Sequence, residues 1–299
     1  MSIEKEFHVG YVAIIGQPNV GKSTLLNSLL GQKLSIVTPK PQTTRHKILG
    51  ILSGENFQII FIDTPGLINP KYALQELMMS FAKSALRDAD VILPMIDASR
   101  PEMEPSLTLK MILEFKEKPI ILVINKIDIV NKGLLLPLID SLNKLNIFKE
   151  IIPVSAATGE NLNDLQKTII KYLPVGLPLY PADTTSDKDE RFFVSEIIRE
   201  KIFSKFREEI PYSTTVEIEE FRENQGNMKI YIRAVIYVER ESQKGIIIGK
   251  GARALREIGA AARKEIEDFI GKPVFLELFV KVNTDWRDNK KILSKLGYH

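Results

Sequence analysis

A glycine-rich loop followed by a lysine and a serine is the pattern in this sequence whose chemistry is easiest to define. Residues 16–23 read Gly-Gln-Pro-Asn-Val-Gly-Lys-Ser and stand between an apolar run and a helix-like segment. Glycine allows backbone N–H groups to surround a phosphate, and the dipole of the following helix favours the same anion. We therefore predict that Lys22 neutralises the β- and γ-phosphates of a nucleotide and that the Ser23 hydroxyl ligates Mg²⁺. The nucleotide-binding residues predicted in this segment are Asn19, Val20, Gly21, Lys22, Ser23 and Thr24.

Two later segments predict which base the nucleotide carries. Residues 125–128 read Asn-Lys-Ile-Asp and follow the apolar run 120–124, so they stand at the carboxyl end of a strand, where α/β sheets bind ligands. The Asp128 carboxylate can accept hydrogen bonds from guanine N1–H and the exocyclic amine, a donor pair that adenine lacks. Residues 155–157, after the next strand, are predicted to donate a backbone N–H to guanine O6. The predicted base-binding residues are Asn125, Lys126, Asp128, Ser155, Ala156 and Ala157.

Two loops between these motifs are predicted to respond to the γ-phosphate. Residues 63–66 read Asp-Thr-Pro-Gly after the strand-like run 57–62, which places Asp63 to hold Mg²⁺ through water and the Gly66 N–H to contact the γ-phosphate. Residues 42–45 read Gln-Thr-Thr-Arg, and either Thr43 or Thr44 is expected to complete the Mg²⁺ shell, with Thr44 preferred. The predicted metal ligands are Ser23, Thr44 and Asp63, and the predicted catalytic residues are Lys22, Thr44 and Gly66.

The second half of the chain carries a motif for single-stranded RNA. Residues 247–258 resemble the KH signature, in which a Gly-x-x-Gly loop joins two helices and clamps the nucleic-acid backbone. The fourth loop position holds Ala252, which costs stability if the loop needs a positive φ angle there. Seven basic and two acidic residues lie between positions 240 and 264, which predicts a localised positive face. The predicted RNA-binding residues are Ile248, Gly249, Lys250, Gly251, Ala252, Arg253 and Arg256.

Two apolar features in this half of the chain have two interpretations each. The isoleucines at 246–248 suit either the lining of a base-binding groove or the core of the domain. Trp286 suits either stacking on a base or ordinary packing. Packing is the commoner use of both residue types.

The segments quoted above together resemble the translation-factor-related GTPases, and most closely the Era-like GTPases with a C-terminal type II KH domain. The resemblance extends over nearly the whole chain. It implies a monomeric GTPase that uses Mg²⁺ and binds the 3′ end of small-subunit ribosomal RNA during assembly of the small ribosomal subunit. Separately from the resemblance, the basic face allows peripheral contact with the inner face of the cell membrane, because basic surfaces are attracted to anionic headgroups.

One position departs from the Ras-like pattern, and another implies a second cation. Leu67 follows Gly66 where Ras-like proteins carry the glutamine that orients the attacking water. An apolar side chain cannot do this, so we expect slow intrinsic hydrolysis. Asn19 resembles the residue that helps to hold K⁺ in potassium-stimulated relatives. We therefore expect K⁺ near Asn19 to act as a fixed positive charge on the phosphates.

The elements that must position these residues alternate in the first half of the chain. Short runs rich in isoleucine and valine are typical of strands buried on both faces of a parallel sheet. They lie at 12–15, 57–62, 91–96, 120–124 and 151–154, and helix-like segments lie at 23–30, 74–85 and 107–115. The alternation predicts a doubly wound, mostly parallel α/β sheet of the P-loop GTPase type, with an antiparallel edge strand at 47–52.

A change in amino-acid composition and in the pattern of elements after residue 173 predicts a second domain. Three prolines between 174 and 181 and the polar stretch 183–190 have the composition of a linker. Beyond them the pattern predicts the order α-β-β-α-α-β, with a turn at 224–227 and a small helix near 290–296. We therefore predict a GTP-binding domain at 1–178 and a smaller α+β domain of KH type II at 179–299.

Composition limits the remaining classes. The chain has 299 residues, no cysteine and a net charge of +3, which excludes disulfides and thiolate metal sites and is too small a charge to indicate nucleic acid by itself. Residues 1–9 are charged and lack an apolar core, so they do not resemble a signal peptide, and no run approaches the ~20 apolar residues of a membrane span. These features favour a cytoplasmic protein.

The sequence leaves three alternatives open. An ATP-driven kinase or ATPase has no use for the carboxylate of Asp128 and would prefer adenine. A nucleotide-regulated module could instead dock on a protein or on anionic lipid through its basic face, without sequence-specific RNA binding. A tRNA-modifying GTPase is less favoured, because no cofactor-binding domain and no catalytic cysteine accompany the nucleotide motifs.

Overall fold

The computed structural model describes residues 6–101, 107–223 and 229–298, and the chain forms two compact units. The first unit comprises Met1–Lys71 and Gln75–Asp187, and the second comprises Tyr72–Leu74 and Lys188–His299. The predicted boundary at 178/179 thus differs from the division of the structure, which assigns residues 179–187 to the first unit. The turn predicted at 224–227 and the beginning of the charged segment 1–9 lie outside the described residues.

A six-stranded sheet forms the centre of the first unit. Its strands are β1 (His8–Gly16), β2 (Ile48–Ser53), β3 (Phe57–Asp63), β4 (Val91–Asp97), β5 (Ile121–Asn125) and β6 (Glu150–Pro153). They lie in the order β2-β3-β1-β4-β5-β6, and only the β2–β3 pair is antiparallel. The predicted doubly wound sheet and its antiparallel edge strand are therefore confirmed.

Helices cover both faces of this sheet because its strands are apolar on both sides. The helices are α1 (Lys22–Leu30), α2 (Ala73–Asp88), α3 (Leu107–Leu113), α4 (Leu135–Asn143) and α5 (Leu162–Tyr172). Val12 and Ile14 of β1 pack in a cluster with leucines of α1 and α5, whereas the alternate residues Ala13 and Ile15 pack with α2 and α3. The named sequence predictions did not include α4 and α5.

The sheet topology brings the predicted nucleotide motifs to one edge. The phosphate loop follows β1, the Asp-Thr-Pro-Gly segment begins at the last residue of β3, and the Asn-Lys-Ile-Asp segment begins at the last residue of β5. Because these three strands are parallel, their carboxyl ends lie at the same edge. The 155–157 segment follows β6 at that edge as well.

The proline-rich segment after α5 packs on the first unit. The Gln58 side chain, which is buried, accepts hydrogen bonds from Leu179 N at 2.8 Å and Tyr180 N at 2.9 Å and donates to Tyr180 O at 2.8 Å. Further along, Ile51 N donates to Thr185 O at 2.9 Å. These bonds satisfy backbone groups that a free linker would leave to water, and they explain why the first unit extends to Asp187.

The second unit has the predicted order of elements. They are α6 (Glu190–Lys205), β7 (Thr215–Arg222), β8 (Ile230–Val238), α7 (Glu241–Ile248), α8 (Arg253–Ile270), β9 (Val274–Val282) and α9 (Lys290–Lys295). Strands β7 and β8 are antiparallel, whereas β9 runs parallel to β8 along its whole length. Of all helices in the described ranges, none is long and apolar enough to cross a membrane.

Packing decides the open interpretation for Trp286 and for one of the three isoleucines. Trp286 is fully buried, donates from Nε1 to Ser213 O at 3.0 Å and stacks on Tyr298 with a centroid distance of 6.2 Å. Trp286 is therefore a core residue and is not available to stack on a base. Ile247 is also buried in the core, whereas its neighbour Ile246 is 49% exposed.

Candidate functional site

The phosphate loop has the backbone conformation that wrapping around an anion requires. Asn19 and Gly21 have positive φ angles of 64° and 102°. A Cβ on Gly21 would lie 2.2 Å from Asn125 Nδ2, so only glycine fits at this position. Helix α1 begins at Lys22, directly after the loop, and its first N–H groups are directed towards the loop. The segment thus combines a glycine-dependent turn with a helix N-terminus, which is favourable for phosphate.

Lys22 is the buried cation of this loop. Its Nζ donates hydrogen bonds to Gly16 O at 3.1 Å and Gln17 O at 3.0 Å. Burial lowers the pKa of Lys22 to about 8, and the neighbouring Asp63 carboxylate opposes that shift only in part. A phosphate beside Nζ would supply negative charge that stabilises the buried ammonium.

Three oxygen-bearing side chains meet at the start of α1. Ser23 Oγ lies 2.9 Å from Thr44 Oγ1 and donates to Asp63 Oδ2 at 2.9 Å. Adjacent ligands of an octahedral Mg²⁺ at about 2.1 Å are about 3.0 Å apart, so the hydroxyl pair has the spacing of two such ligands. The other carboxylate oxygen, Asp63 Oδ1, is buried without a hydrogen-bond partner. The donor set therefore fits a magnesium ion.

The electrostatics of Asp63 are consistent with that fit. Burial raises the pKa of Asp63, although the charge of Lys22 and hydrogen bonds from two serine hydroxyls act in the opposite direction. A divalent cation beside the carboxylate would favour the ionised form. The residues present can thus both bind Mg²⁺ and be stabilised by it.

The structure distinguishes the two threonines of the 42–45 segment. Thr44 faces Ser23, as described above. Thr43 Oγ1 donates instead to Lys40 O at 2.8 Å and lies 2.6 Å from Thr38 Oγ1. Thr43 is thus engaged within its own loop, and the arrangement favours Thr44 as the metal ligand.

Gly66 and Leu67 lie directly against the phosphate loop. Gly66 contacts the phosphate loop at Pro18, and Leu67 N donates to Gly16 O at 3.0 Å. The Leu67 side chain is 3% exposed and packs among apolar residues of β1 and α2. A buried apolar side chain offers no group that could orient water, and the slow intrinsic hydrolysis expected for this position stays a prediction.

One cleft lies between the phosphate loop, the 36–44 segment, Gly66 and Lys126. Its volume is about 290 Å³. It is lined by Pro18, Asn19, Gly21, Lys22, Ser23, Thr24, Ile36, Val37, Thr38, Pro39, Lys40, Gln42, Thr43, Thr44, Gly66 and Lys126. Most of the predicted phosphate and metal residues therefore border the same space.

Asn125 connects the phosphate loop to the 155–157 segment. Its Nδ2 donates to Val20 O at 2.8 Å, and its Oδ1 accepts from Ala156 N at 2.9 Å. Asn125 is 2% exposed, so both bonds are sheltered from water. The structure thus gives Asn125 a bridging position between two loops predicted to contact opposite ends of the nucleotide.

The other base-binding residues differ in exposure. Lys126 has a positive φ angle of 67° and donates from Nζ to Asp97 Oδ2 at 2.6 Å. Asp128 is exposed in the turn after β5, and Ala157 is exposed after β6, whereas Ser155 is buried and its Oγ accepts from Thr158 N. Asp128 and Ala157 therefore remain accessible to a ligand.

Sequence reasoning missed two residues of this site. Ser35 is buried and donates to Asp63 Oδ2, and Asp97 pairs with Lys126. Partial burial opposes ionisation of Asp97, but hydrogen bonds from Lys126 and Ser99 outweigh it and lower the pKa of Asp97. Asp97 ends β4, so the strand-end rule used for the other motifs could have found it. Ser35 stands in no recognisable motif.

The loop of the predicted RNA site lies between α7 and α8. Gly249, Gly251 and Ala252 all have positive φ angles, of 70°, 56° and 59°. Ala252 thus adopts the left-handed conformation that favours glycine, the more costly of the two possibilities left open by the sequence. Lys250 is exposed within the loop, and Ile248, which ends α7, is partly buried.

The basic residues after this loop are exposed but have partners within the unit. Arg256 Nη2 donates to Gly251 O at 2.6 Å, and Arg253 Nε donates to Glu257 Oε1 at 2.9 Å. A cleft of about 330 Å³ lies beside them, between α8 and β9. It is lined by Leu255, Arg256, Gly259, Ala260, Arg263, Leu276 and Leu278. The cleft combines apolar walls with two arginines, of which Arg256 is also bonded to Gly251 of the loop.

Comparison with known proteins gives the family. The sequence model of the 50S ribosome-binding GTPase family matches residues 11–126, and the KH domain matches residues 209–287. The chain is 46% identical over 295 residues to GTPase Era of Geotalea daltonii, with 99% of each chain covered. The chain belongs to the GTPase Era family. Era of Lactobacillus helveticus is 45% identical over 295 residues, covering 99% of this chain and 97% of the relative.

Solved structures of Era share the whole fold. One is Era in complex with MgGDPNP and nucleotides 1506–1542 of 16S ribosomal RNA, with 48% identity, a TM-score of 0.91 and coverage of 98% and 99% of the two chains. Another is a variant of Aquifex aeolicus Era bound to GDP·AlF4⁻, with 47% identity, the same TM-score and the same coverage. As a member of the Era family the chain is a GTPase, and the predicted P-loop GTPase domain followed by a KH domain is confirmed.

Proposed function

We propose that this chain is a guanine-nucleotide switch in which Lys22, Ser23, Thr44 and Asp63 hold the phosphates and Mg²⁺. The observation that carries this proposal is the 2.9 Å separation of Ser23 Oγ and Thr44 Oγ1 beside the Asp63 carboxylate. It joins the phosphate loop to the 42–45 segment, which can then respond to the presence of a γ-phosphate. When bound, Mg²⁺ neutralises charge on the phosphates. Gly66 is proposed to contact the γ-phosphate through its N–H.

Base selection in this proposal rests on Asp128. Its carboxylate would accept from guanine N1–H and the exocyclic amine, while the Ala157 side of the neighbouring loop offers a backbone donor to O6. Inosine triphosphate keeps N1–H and lacks the amine, so it separates the two hydrogen bonds. A hydrogen bond to a charged group contributes about 1.5–3 kcal/mol, which corresponds to roughly 10- to 100-fold in affinity.

Competition titrations with GTP, ITP and ATP test this assignment. We expect ITP to bind roughly 10- to 100-fold more weakly than GTP and ATP not to compete at micromolar concentrations. In Asp128→Ala the difference between GTP and ITP should disappear. Equal affinity of the wild-type protein for guanine and adenine nucleotides would contradict the proposal.

We further propose that the second unit binds single-stranded ribosomal RNA from the 3′ end of the small subunit, and that the protein acts in assembly of that subunit. Three observations support this: the positive φ angles of Gly249, Gly251 and Ala252, the exposed Lys250 in the same loop, and the cleft lined by Arg256 and Arg263. A backbone clamp of this kind needs close approach at the loop and cations for phosphate. One relative, Era, has been solved in complex with nucleotides 1506–1542 of 16S ribosomal RNA.

Fluorescence anisotropy with an RNA of the 16S 3′ end and a scrambled RNA of equal length tests the second proposal. We expect tighter binding of the natural sequence in the presence of a GTP analogue than with GDP. Lys250→Ala should weaken binding and lower the dependence on salt by about one counterion. Lys272→Ala, an exposed lysine in the turn before β9, is the matched control and should leave binding unchanged.

Two results, one from that experiment and one from vesicle sedimentation, would contradict RNA recognition by the second unit. One is weak, sequence-blind binding that is equal in both nucleotide states. The other is tight sedimentation with anionic phospholipid vesicles in the absence of RNA binding, which would favour the membrane-surface alternative. Cells depleted of the protein should accumulate small-subunit precursors with an unprocessed 3′ end if the proposed role in assembly is correct.

We also propose that K⁺ binds beside Asn19. Asn19 Nδ2 donates to Pro39 O at 3.1 Å, which brings the phosphate loop against backbone carbonyls of the 36–40 segment. Amide and carbonyl oxygens are the donors that suit a weakly hydrated monovalent cation. Hydrolysis should be faster in KCl than in NaCl, and Asn19→Ala should remove the difference. Identical turnover in both salts would exclude this role.

A further inference from the structure

Ser35 is a buried hydroxyl residue with no role in the proposed function. It lies between α1 and the 36–44 segment, and it is 1% exposed. Its Oγ donates to Asp63 Oδ2 at 2.9 Å. This bond connects residues that are 28 positions apart in sequence. Ser35 therefore contacts the carboxylate proposed to hold Mg²⁺.

The two oxygens of Asp63 have different surroundings. Oδ2 accepts hydrogen bonds from both Ser23 and Ser35, whereas Oδ1 is buried without a partner. Ser23 is itself a proposed metal ligand, so its hydroxyl orientation must suit the ion. Ser35 has no such second task, and its bond fixes Oδ2 independently. The consequence is a carboxylate held by one oxygen while the other remains available to the metal or its water.

Asn27 in turn holds Ser35. Asn27 Oδ1 accepts from Leu34 N and Ser35 N, both at 2.9 Å, and its Nδ2 donates to Ser35 O at 2.7 Å. Asn27 stands four residues after Ser23 on α1, so the two side chains project from the same face of one helix. The helix that carries the serine ligand thus also fixes the backbone of Ser35.

We propose that Ser35 is a positioning residue for the Mg²⁺ site, with Asn27 holding it in place. The proposal rests on the proposed role of Asp63 in binding Mg²⁺. Residues that orient a metal-binding group typically change metal affinity or activity roughly 10- to 100-fold when they are removed. A serine that only fills space would change stability without changing the dependence on magnesium.

Release of a fluorescent GDP analogue at increasing MgCl₂ concentrations measures this dependence. In Ser35→Ala, the MgCl₂ concentration that gives half-maximal retention of the nucleotide should rise roughly 10- to 100-fold. Affinity for the analogue in excess EDTA should stay within about twofold of the wild type, because no metal is then involved. A MgCl₂ midpoint within twofold of the wild type would overturn the inference.

Two further variants keep the test decisive. Ser35→Thr retains the hydroxyl and should restore the wild-type midpoint. Ser213→Ala removes another buried serine hydroxyl, which donates to Ile210 O at 3.1 Å in the second unit, and should leave the midpoint unchanged. A shift of equal size in Ser213→Ala would assign the effect to stability and overturn the inference.

A second route is available if Ser35→Ala does not fold. Asn27→Asp keeps the two backbone bonds to the acceptor oxygen but places a second oxygen against Ser35 O. The MgCl₂ midpoint should then rise in the same direction, and an unchanged midpoint would count against the inference. If nucleotide release from the wild type were independent of MgCl₂, the proposed metal site itself would fail. If release from the wild type depended on MgCl₂ but the variant had the same MgCl₂ midpoint, only the role of Ser35 would be excluded.

Discussion

Gly66 lies against Pro18 so closely that a Cβ on Gly66 would be 2.8 Å from Pro18 N. The neighbouring atoms are backbone and ring atoms of the phosphate loop, which cannot rotate away as the end of a flexible side chain can. The absence of a side chain at Gly66 is therefore a condition for the contact between the two loops. Each loop contributes to the cleft in which the γ-phosphate is proposed to lie.

Gly66→Ala should impair hydrolysis more than binding of the product. The added methyl group would displace residue 66 from the phosphate loop and move its N–H away from the γ-phosphate. Loss of one such donor costs roughly 100- to 1,000-fold in rate at comparable sites, and partial displacement should cost at least about tenfold. GDP lacks the γ-phosphate, so its affinity should change by less than about threefold. Single-turnover hydrolysis and GDP titration measure the two quantities.

The control for this substitution is Gly245→Ala in α7. A Cβ there would have no atom within 4 Å beyond the adjacent backbone of its own helix, so hydrolysis and GDP affinity should both stay at their wild-type values. An equal loss of GTP and GDP affinity in Gly66→Ala would indicate general damage to the site and would contradict the specific role of the contact.

Nucleotide binding should take up protons at mildly alkaline pH. Burial lowers the pKa of Lys22 to about 8 in the free protein, and bound phosphate should return it towards its ordinary value. At pH 8.5 about three-quarters of the free protein would lack the Lys22 proton, so binding of GDP should take up about three-quarters of a proton and be about fourfold weaker than at pH 7. Calorimetry in two buffers of different ionisation enthalpy measures this uptake.

The lowered pKa of Lys22 also makes the free energy of unfolding depend on pH. Between pH 8 and 10.5 the unfolded chain binds more protons at Lys22 than the folded chain does. Without nucleotide, this group therefore makes the free energy of unfolding rise with pH in that window, and saturating nucleotide should reduce the rise. Proton uptake near zero at pH 8.5 would show that Lys22 keeps its charge in the free site.

Asn125→Ala should weaken both the fold and nucleotide binding. It leaves Val20 O and Ala156 N buried without the Asn125 partner, and each unsatisfied group costs about 1–3 kcal/mol in the free energy of unfolding. We expect a loss of about 3 kcal/mol in the free energy of unfolding and at least about tenfold in GDP affinity. Asn131→Ala is a suitable control, because it removes only an exposed cap to Gly133 N and should cost about 1 kcal/mol without affecting GDP. Equal GDP affinity in both variants would contradict a bridging role.

Ala252→Gly should stabilise the second unit slightly. The left-handed conformation costs alanine about 1–2 kcal/mol, whereas the greater freedom of glycine in the unfolded chain costs about 0.4–1 kcal/mol. The net gain should be about 0.5 kcal/mol in the free energy of unfolding, measured with denaturant. The same replacement at Ala261, an exposed helical position of α8, should instead cost about 1 kcal/mol. Destabilisation by both substitutions would show that Ala252 is not strained.

The sequence was sufficient for the sheet because burial on both faces gives its strands a distinct composition. The runs before the phosphate loop and before Asn125 are apolar without interruption, and each ends at a polar motif at the same edge of the sheet. The same rule predicts where a motif must lie but not which of two neighbours faces inwards. The sequence therefore did not decide whether Thr43 or Thr44 is the metal ligand, because that choice depends on the conformation of the loop.

Three features could not be predicted because they depend on contacts between distant segments. The role of Ser35 depends on its hydrogen bond to Asp63, which lies at the end of the second of two strands that follow Ser35 in the chain. The proline-rich segment resembles a linker in composition, yet the buried amide of Gln58 holds it against the first unit. The positive φ angle of Ala252 is likewise a property of the folded loop and not of the residue type.

The two bonds of Asn125 imply that recognition of guanine and recognition of phosphate are cooperative. Because one amide is shared between the two loops, ordering either loop with a partial ligand should prepare the other. Guanosine would then increase the affinity for pyrophosphate, and pyrophosphate would increase the affinity for guanosine by the same factor. A fragment of the nucleotide contacts only one of the two loops, yet its binding must supply the free energy that orders both. Free nucleosides and free pyrophosphate in the cell should therefore be poor competitors of the intact ligand.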